Sequence, residues 1–434
     1  MAGGRLSAAL AWEDLVELAL ARAVDVVLLA GDVVDQDNRY FEAFGPLGHG
    51  VRRLKEAGIA VVGVAGNHDH HTLHEVAAQV GAEHLRVLGR GGRWERWTLR
   101  DDTGRARLHV DGWSFPASRH GSDPTAAYDL PLPDPGDDAP VVGLLHCDLD
   151  GREPRYAPVP AAALTRLPAS LWVLGHVHVP RLLRPTGAAP LLYTGSLLAL
   201  DPRERGLRGG WLVELRDTAS PSFSHLPLSR VRYETVGVAL DAAADPESVR
   251  GLVASTLQGR LDEVVEEGAG PLELVSCRVR LTGRTSHHVR PDKLMAGIDE
   301  LELSGEGGVR LAVERVEVDT RPALDLHDVA RGSDAPGLLA RLLLELEGDE
   351  GQVQQPLLEC AVRAAETVRR RPSYAGLTVP NDTDSGAAWA VMASDGNHPA
   401  PAVGAAAGGI GAVSALRRQA WRLLDELVRQ KEAG

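Results

Sequence analysis

Four apolar runs along the chain have the length and composition of buried β-strands, and polar residues follow each of them at once. The runs are Val24–Ala30, Ile59–Val64, Val141–Leu145 and Leu171–Leu174. Amphipathic stretches at Ser7–Ala23 and Tyr40–Ala57 precede the first two runs and predict helices, because their apolar residues recur at helical spacing. This alternation of helix and strand is typical of a layered α/β domain.

The residues that follow these strands carry the candidate chemistry. They are Gly31-Asp32, Gly66-Asn67-His68-Asp69, His146 and Gly175-His176-Val177-His178. In α/β sheets, ligands bind beyond the carboxyl ends of the strands. Four such coincidences in one chain therefore predict one shared site and not four unrelated turns.

Beyond this domain the pattern predicts two further parts. Strand, helix, strand, helix and strand follow one another between residues 231 and 318, and this βαβαβ order indicates a small domain. The chain then becomes helical, interrupted by an Ala-, Gly- and Pro-rich stretch typical of a linker. We therefore expect a domain at 1–228, a second at 229–323 and a helical, partner-binding region at 324–434 with a flexible linker at about 384–413.

The last predicted helix, Ala415–Glu432, places apolar residues at spacings that allow a common face. These are Leu416, Trp421, Leu424 and Leu427. Such a face either docks on its own protein or receives a partner helix.

Composition limits the class of protein. Of the 434 residues, 44% are hydrophobic and 24% charged, and the formal net charge is −14. A protein this acidic does not coat nucleic acid by bulk electrostatics, although a local basic patch or a metal site remains possible. There is no apolar run of about 18 residues and no secretory pattern, which predicts a cytoplasmic protein without a membrane span. Three cysteines without a CxxC pair predict free thiols.

Asp32 is the best candidate for a carboxylate that bridges two divalent ions, because an anionic oxygen can bind both and offset their repulsion. Asn67, His146 and His176 would complete the protein ligands of one ion, and His178 would point to the other. Mixed oxygen and nitrogen ligands favour Mn²⁺ or a related ion. Two ions roughly 3.5–4 Å apart activate a shared water and neutralise charge on a phosphoryl group, so we predict hydrolysis of a phosphate ester.

His68 lies beside a ligand and is our candidate for the catalytic acid, because an imidazole can protonate the departing alkoxide. Asp69 is expected to orient His68 or the backbone of the turn. His70, His71 and His74 follow closely, and each is open to two interpretations: a ligand or substrate contact, or a side chain that faces solvent. The chain lacks a P-loop and a Rossmann glycine pattern, which argues against nucleotide-driven or redox chemistry.

A local basic cluster occurs in the second predicted domain. Its members are Arg278, Arg280, Arg284, His287, His288 and Arg290. The cluster could meet a phosphate backbone, or it could be a solvated strand edge.

Taken in order, the motifs at Asp32, Asn67, His146 and His176 resemble those of the calcineurin-like metallophosphoesterases. Within that superfamily the chain is similar to the SbcD/YhaO branch of DNA repair exonucleases. The features behind the closer likeness are Asp35 three residues after Asp32, the stretch Leu144-Leu145-His146 with Asp150-Gly151-Arg152 and Tyr156-Ala157-Pro158, and Arg278–Thr285. The likeness covers about residues 7–330 well and the C-terminal third weakly.

This resemblance implies an α/β fold in which a β-sandwich is flanked by helices, with a small capping domain that touches DNA. It implies C-terminal helices that bind a coiled-coil ATPase of the SbcC or YhaN kind, and a homodimer is a family expectation. The implied activity is a two-metal, Mn²⁺-dependent nuclease that acts on DNA ends. In that assignment His68 is the proton donor, Asp35 and Asp69 are supporting residues, and the ligands are Asp32, Asn67, His146, His176 and His178.

One departure from the family pattern concerns the second ion. The family opens with a strand that ends in Asp-x-His, and these two residues hold the ion that Asp32 and His178 also hold. No such strand precedes the first predicted helix here. One ion thus keeps its full set of ligands and the other keeps only Asp32 and His178, and we expect that the sequence is truncated at its N-terminus.

Three functions remain open on this basis. The leading one is a DNA exonuclease or endonuclease subunit. The second is a phosphoesterase for small molecules or phosphoproteins, since metal motifs alone do not choose the substrate. The third is a catalytically impaired scaffold subunit for the ATPase, which should bind one ion or none.

Overall fold

The computed structural model describes residues 7–34, 40–151, 155–215, 221–240, 245–268, 270–285 and 291–347, together with 420, 421, 423, 424, 427 and 428. The chain divides into two compact units. The first unit is Met1–Val236, Leu252–Val279 and Gly297–Val316, and the second is Gly237–Gly251, Arg280–Ala296 and Glu317–Gly434. The boundaries expected after residues 228 and 323 stay predictions.

Helices form where the amphipathic stretches at 7–23 and 40–57 predict them, and six more α-helices lie in the described residues. The helices are α1 Ala8–Arg22, α2 Tyr40–Glu56, α3 Thr72–Val80, α4 Ala161–Leu164, α5 Pro246–Glu266, α6 Pro291–Met295, α7 Leu326–Ala330 and α8 Ala335–Glu347. Ser7 caps α1, because its hydroxyl accepts a hydrogen bond from the Leu10 N–H at 3.4 Å. None of the described helices is both long and apolar enough to cross a membrane.

Two sheets build the domain that carries the motifs. The first is the parallel sheet β1 Val26–Ala30, β2 Ala60–Val64 and β3 Arg86–Leu88. The second contains β4 Glu95–Arg100, β5 Ala106–Trp113, β6 Val141–His146, β9 Leu171–Gly175, β10 Arg181–Leu183 and β11 Leu191–Tyr193, in the order β10-β11-β9-β6-β5-β4. Between β6 and β9 lies a two-stranded parallel pair, β7 Asp148–Leu149 and β8 Pro158–Val159. The α/β fold class predicted from the sequence is confirmed.

The two sheets pack face to face through their apolar residues. Val62 and Val64 of the first sheet and Leu144 of the second are fully buried in one cluster. On the outer face of the first sheet, α1, α2 and α3 contribute residues such as Trp12 and Leu54 to a second cluster. The two sheets thus form a sandwich. Of the four strands that precede the motif residues, β1 and β2 belong to one sheet, and β6 and β9 belong to the other.

The remaining strands form a hairpin and a further sheet. The hairpin pairs β12 Gly209–Glu214 with β13 Ser222–Pro227 in antiparallel register. The sheet contains β14 Val231–Leu240, β15 Leu274–Thr285, β16 Glu302–Ser304, β17 Arg310–Val318 and β18 Arg321–Pro322, in the order β14-β15-β17-β16 with β18 beside β15.

One helix of the predicted βαβαβ order is shorter than expected. The pattern predicts a helix over 291–303, but α6 ends at Met295 and residues 302–304 form β16. Gly297 has a φ of +70°, a left-handed conformation that stops a helix. The apolar residues of 291–303 are spaced in a way that fits both a helix and a strand. The left-handed Gly297 ends the helix, so the residues after it are available for a strand.

The C-terminal region described by the structure packs on its own chain. Trp421 and Leu424 are buried in a cluster with Leu326 of α7 and Leu343 of α8. Of the two interpretations of the last apolar face, docking on its own protein therefore holds for these two residues. Leu416 and the linker lie outside the described residues, and so do residues 356–371, where the sequence pattern predicts a further helix.

Replacing Gly175 by alanine is expected to destabilise the protein. A Cβ at this position would lie 1.8 Å from the Ala30 carbonyl oxygen and 2.7 Å from His146 Nδ1. Since both neighbours are held inside the sandwich, we expect a loss of roughly 1–3 kcal/mol in the free energy of unfolding, measured by denaturant titration. The matched control is Gly259→Ala in α5, where the new Cβ meets open space and should stabilise by roughly 0.5–1 kcal/mol. A Gly175→Ala protein as stable as wild type would contradict the close approach of β1 and β9.

Candidate metal centre

Two residues beyond the strand ends hold unusual backbone conformations. Asp32, after β1, has a φ of 52°, and His176, after β9, has a φ of 91°. Left-handed backbone at a non-glycine residue costs of order 1–3 kcal/mol and persists only where the surroundings fix it. Two such residues, one on each sheet, indicate a site whose geometry the fold maintains against strain.

Asp69 fixes the two loops that leave β1 and β2. Its fully buried carboxylate accepts hydrogen bonds from four backbone N–H groups. These belong to Asp32 at 3.2 Å, Val33 at 2.7 Å, Val34 at 3.4 Å and Gly66 at 2.6 Å. Asp69 is expected from the sequence to orient either His68 or the backbone of the turn, and these hydrogen bonds show that its carboxylate orients the backbone.

His146 joins the two sheets at the centre of the site. Its Nδ1–H donates to the carbonyl oxygen of Ala30 at the end of β1, at 2.9 Å. Its Nε2 therefore faces two acceptors, Asp32 Oδ2 at 3.2 Å and Asn67 Oδ1 at 3.1 Å. Because Nδ1 keeps its proton, Nε2 of the neutral ring would present a third lone pair to the same point.

The ionisation of these groups follows from their contacts. Burial alone would lower the pKa of His146, but Asp32, the Ala30 carbonyl and Asp69 together raise it above its usual range. Burial alone would raise the pKa of Asp32, but His146 and the His68 N–H together lower it. Burial and the charge of Asp32 raise the pKa of Asp69 to about 6. A proton on His146 thus sits where two oxygens converge, and a cation could replace it.

His176 lies next to this group. Its ring centroid is 5.3 Å from that of His146 and 5.0 Å from that of Tyr156. Burial and the charge of His146 lower the pKa of His176 to about 4. His176 is therefore neutral near pH 7, the form in which imidazole binds a metal ion.

His178 has a partner that the sequence did not indicate. Its Nδ1 is hydrogen-bonded to Glu204 Oε1, while Glu204 Oε2 accepts from the Leu200 N–H at 3.0 Å. A carboxylate on Nδ1 leaves Nε2 of the exposed ring as the metal-binding nitrogen. Glu204 lies 26 positions after His178, so no pattern of neighbouring residues in the sequence predicts this contact.

The residues present fit a divalent cation through mixed ligands. Among the described residues, no three His, Cys, Asp or Glu side chains are by themselves arranged to hold an ion. The convergent set includes an amide oxygen, and its three members are Asp32, Asn67 and His146. Oxygen and nitrogen donors of this kind suit Mn²⁺, Fe²⁺ or Zn²⁺ better than a soft metal. His176 lies beside them, with its ring centroid 5.3 Å from that of His146.

The other histidines near the motif differ in their surroundings. The His68 side chain is exposed, and its backbone N–H donates to Asp32 Oδ1 at 2.8 Å. His70 Nδ1 lies 3.3 Å from the Asn67 carbonyl oxygen, and His71 pairs with Glu75. His74 is half-buried on α3, and burial lowers its pKa to about 4. Asp35 lies outside the described residues.

The described members of the basic cluster have intramolecular partners. Arg278 pairs with Glu314 at 2.9 Å, and Arg280 pairs with Asp319 at 2.8 Å. Arg284 donates to the Leu324 carbonyl oxygen and lies 4.6 Å from the centre of the Trp421 ring. His287, His288 and Arg290 lie outside the described residues. Contact of this cluster with DNA stays a prediction.

Comparison with known proteins agrees with this geometry. The sequence profile of the calcineurin-like phosphoesterase family matches residues 5–180. This part of the chain therefore forms a calcineurin-like phosphoesterase domain, and the resemblance indicated by the motifs is confirmed. Phosphoesterases of this family use divalent metal ions.

Two curated relatives extend the comparison. The uncharacterized metallophosphoesterase YhaO of Bacillus subtilis is 30% identical over 204 residues, which are 46% of this chain and 48% of YhaO. The chain thus spans about half the length of that relative. The DNA double-strand break repair protein Mre11 of Methanopyrus kandleri is 25% identical over 343 residues, 73% of each chain. The solved structure of TT1561 of Thermus thermophilus, with a TM-score of 0.32, 16% identity and coverage of 50% of this chain and 92% of its own, is too distant to bear on function.

Removal of the Asp69 carboxylate is expected to be costly. Asp69→Ala leaves four backbone N–H groups without an acceptor, two of them in the strained turn at Asp32 and Val33. We expect the free energy of unfolding to fall by roughly 3–5 kcal/mol in denaturant titrations. Asp102→Ala, at an exposed turn, is the control and should change it by less than about 0.5 kcal/mol. Equal stability of the two variants would show that Asp69 does not hold the loops.

Proposed function

We propose that the chain is a metal-dependent phosphodiesterase that acts on DNA. The observation that carries this proposal is the convergence of Asp32, Asn67 and His146 at the carboxyl ends of strands from two sheets. Membership of residues 5–180 in a hydrolase family supports the reaction class. The similarity to a protein described as a DNA double-strand break repair protein supports DNA as the substrate.

The ligands proposed for one ion are Asp32, Asn67, His146 and His176, and Asp32 with His178 are those available for a second. Bound divalent ions supply an activated water and neutralise charge on the phosphoryl group. We take Mn²⁺ as the working metal. The fold contributes His146 with a fixed tautomer, since Nδ1–H is committed to Ala30.

His68 is proposed to hold the proton that the leaving oxygen receives. Its backbone is held by the hydrogen bond from its N–H to Asp32 Oδ1, and its side chain is exposed next to the proposed ligand Asn67. An imidazole in this position can donate a proton to the leaving oxygen and recover one from water within one turnover. Asp69 is fully buried and positions this residue through the turn that it holds.

The described arginines also favour a second candidate function. Arg278 and Arg280 are paired with carboxylates, which reduces the positive charge offered to a phosphate backbone. A phosphodiesterase for small molecules needs no such surface. The predicted coiled-coil ATPase partner, the homodimer and the scaffold role stay predictions.

The first experiment measures hydrolysis by the full chain with Mn²⁺ after removal of other metals by EDTA. The substrates are end-labelled duplex DNA, single-stranded DNA and bis(p-nitrophenyl) phosphate. Shortening of DNA that requires Mn²⁺ supports the main proposal, whereas turnover of the nitrophenyl ester alone supports the second candidate. No hydrolysis of any substrate by folded, Mn²⁺-loaded protein would overturn both.

His68→Ala is expected to lower kcat on DNA by roughly 10²–10⁴, because the leaving alkoxide then lacks its proton donor. The loss should be much smaller on bis(p-nitrophenyl) phosphate, whose leaving group departs readily as an anion. His71→Ala removes a neighbouring exposed histidine that pairs with Glu75 and should leave kcat within about twofold. Equal losses on the two substrates would argue against His68 as the acid.

Glu204→Gln is expected to weaken Mn²⁺ binding by about 10–100-fold, since Glu204 sets the orientation of His178. The measurement is calorimetric titration of the metal-free protein. Asp201→Asn serves as the control, because Asp201 lies in the same loop and its carboxylate is hydrogen-bonded to the side chain of Arg203, away from His178. Unchanged affinity for each ion in Glu204→Gln would show that His178 is not held for a metal.

A further inference from the structure

The segment Tyr156-Ala157-Pro158, which the proposed function does not use, lies beside a proposed metal ligand. The ring centroid of Tyr156 is 5.0 Å from that of His176, and the two ring planes are tilted by 35°. Centroids at this distance are within the range of aromatic pairs in direct contact. The side chain of Tyr156 is half-buried, so the contact lies at the edge of the core and not deep inside it.

His176 differs from the other two proposed histidine ligands in the way its ring is held. Nδ1 of His146 donates to a backbone carbonyl oxygen at 2.9 Å, and Nδ1 of His178 is hydrogen-bonded to Glu204. Metal-binding histidines usually have such a partner, and it fixes the orientation of the ring. The His176 ring makes no hydrogen bond to any residue that the structure describes, whereas it contacts the rings of Tyr156 and His146.

Backbone hydrogen bonds fix the position of Tyr156. Its carbonyl oxygen accepts from the N–H of Asp148 at 3.0 Å, and Asp148 follows His146 by two residues. On another segment, His120 forms a parallel β-bridge with Tyr156 and accepts from the N–H of Ala157 at 2.8 Å. Tyr156 is thus tied to the chain just after the strand that carries His146.

We propose that Tyr156 is the positioning residue of His176, and that its ring holds the imidazole in place for metal binding. This inference rests on the proposed metal centre. The backbone of His176 is left-handed, with a φ of 91°, so the main chain fixes where the ring begins and the aromatic contact limits its rotation. A ring that is already held loses less conformational freedom when it binds an ion.

The test is a calorimetric titration of Mn²⁺ into the metal-free full chain and its variants. Tyr156→Leu removes the aromatic ring and should raise the Kd for Mn²⁺ about tenfold, because the imidazole of His176 must then be ordered as the ion binds. Tyr156→Phe keeps the ring. It removes only a hydroxyl that has no hydrogen bond to a described residue, so the Kd should stay within about twofold of wild type.

Tyr128→Leu is the matched control. Tyr128 is also half-buried, and its ring centroid lies 5.0 Å from that of Trp94, which is not a proposed ligand. This variant loses an aromatic contact of the same kind and should bind Mn²⁺ as wild type does. Wild-type affinity in folded Tyr156→Leu would overturn the inference, and so would an equal loss in Tyr156→Phe or in Tyr128→Leu. No Mn²⁺ binding by the wild-type chain is a distinct result, which would refute the metal centre and this inference with it.

If Tyr156→Leu does not fold, nuclear magnetic resonance of the metal-free wild-type chain with isotope-labelled histidine decides the question. The ring signals of His176 are those missing from His176→Gln. We expect a ring order parameter close to that of the buried His146, and an Overhauser effect between the ring protons of His176 and Tyr156. A His176 ring as mobile as that of the exposed His71, or the absence of that Overhauser effect, would overturn the inference.

Discussion

The buried carboxylate of Asp69 is the contact on which the rest of the site depends. Its hydrogen bonds to Asp32, Val33, Val34 and Gly66 tie the loop after β1 to the loop after β2. These bonds help to offset the strain of the left-handed turn at Asp32. The Asp69 carboxylate thus holds the two loops together, as backbone hydrogen bonds hold neighbouring strands together. It is fully buried.

A second contact joins the two sheets of the sandwich at the candidate metal centre. His146 ends β6 in one sheet and donates to Ala30 at the end of β1 in the other. This requires very close approach, and a glycine at 175 permits it, since any Cβ there would collide with the Ala30 oxygen. The ligand set is therefore assembled by packing between sheets, and the order of strands within either sheet would not produce it.

Sequence reasoning located the strands and the polar residues beyond them because both follow from short-range patterns. The run at Val26–Ala30 and the turn at Asp32 are adjacent in the chain, and apolar periodicity marks them. The partners that complete the site are not adjacent. Glu204 reaches His178 across 26 residues, and Ala30 meets His146 across 116.

The same limit explains the basic cluster. Arg278 and Arg280 alternate along one strand, so the sequence presents them as a positive edge. Their carboxylate partners, Glu314 and Asp319, come from or just after a strand that pairs beside it only in the folded sheet. Charge on a strand is thus a weak guide to ligand binding until the neighbouring strand is known.

Charge balance links the metal to the fold. Asp32 and Asp69 are neighbouring carboxylates, and burial together with the charge of Asp32 raises the pKa of Asp69 to about 6, which shows that the two negative charges repel each other. A proton on His146 Nε2 would offset part of this repulsion by giving Asp32 a positive neighbour at 3.2 Å. A divalent cation at the same point would relieve more, because it carries twice the charge and leaves both carboxylates free to ionise. The arrangement that favours a metal ion is therefore the same one that makes Asp69 able to hold the two loops, and metal binding should stabilise the turn as well as supply the chemistry.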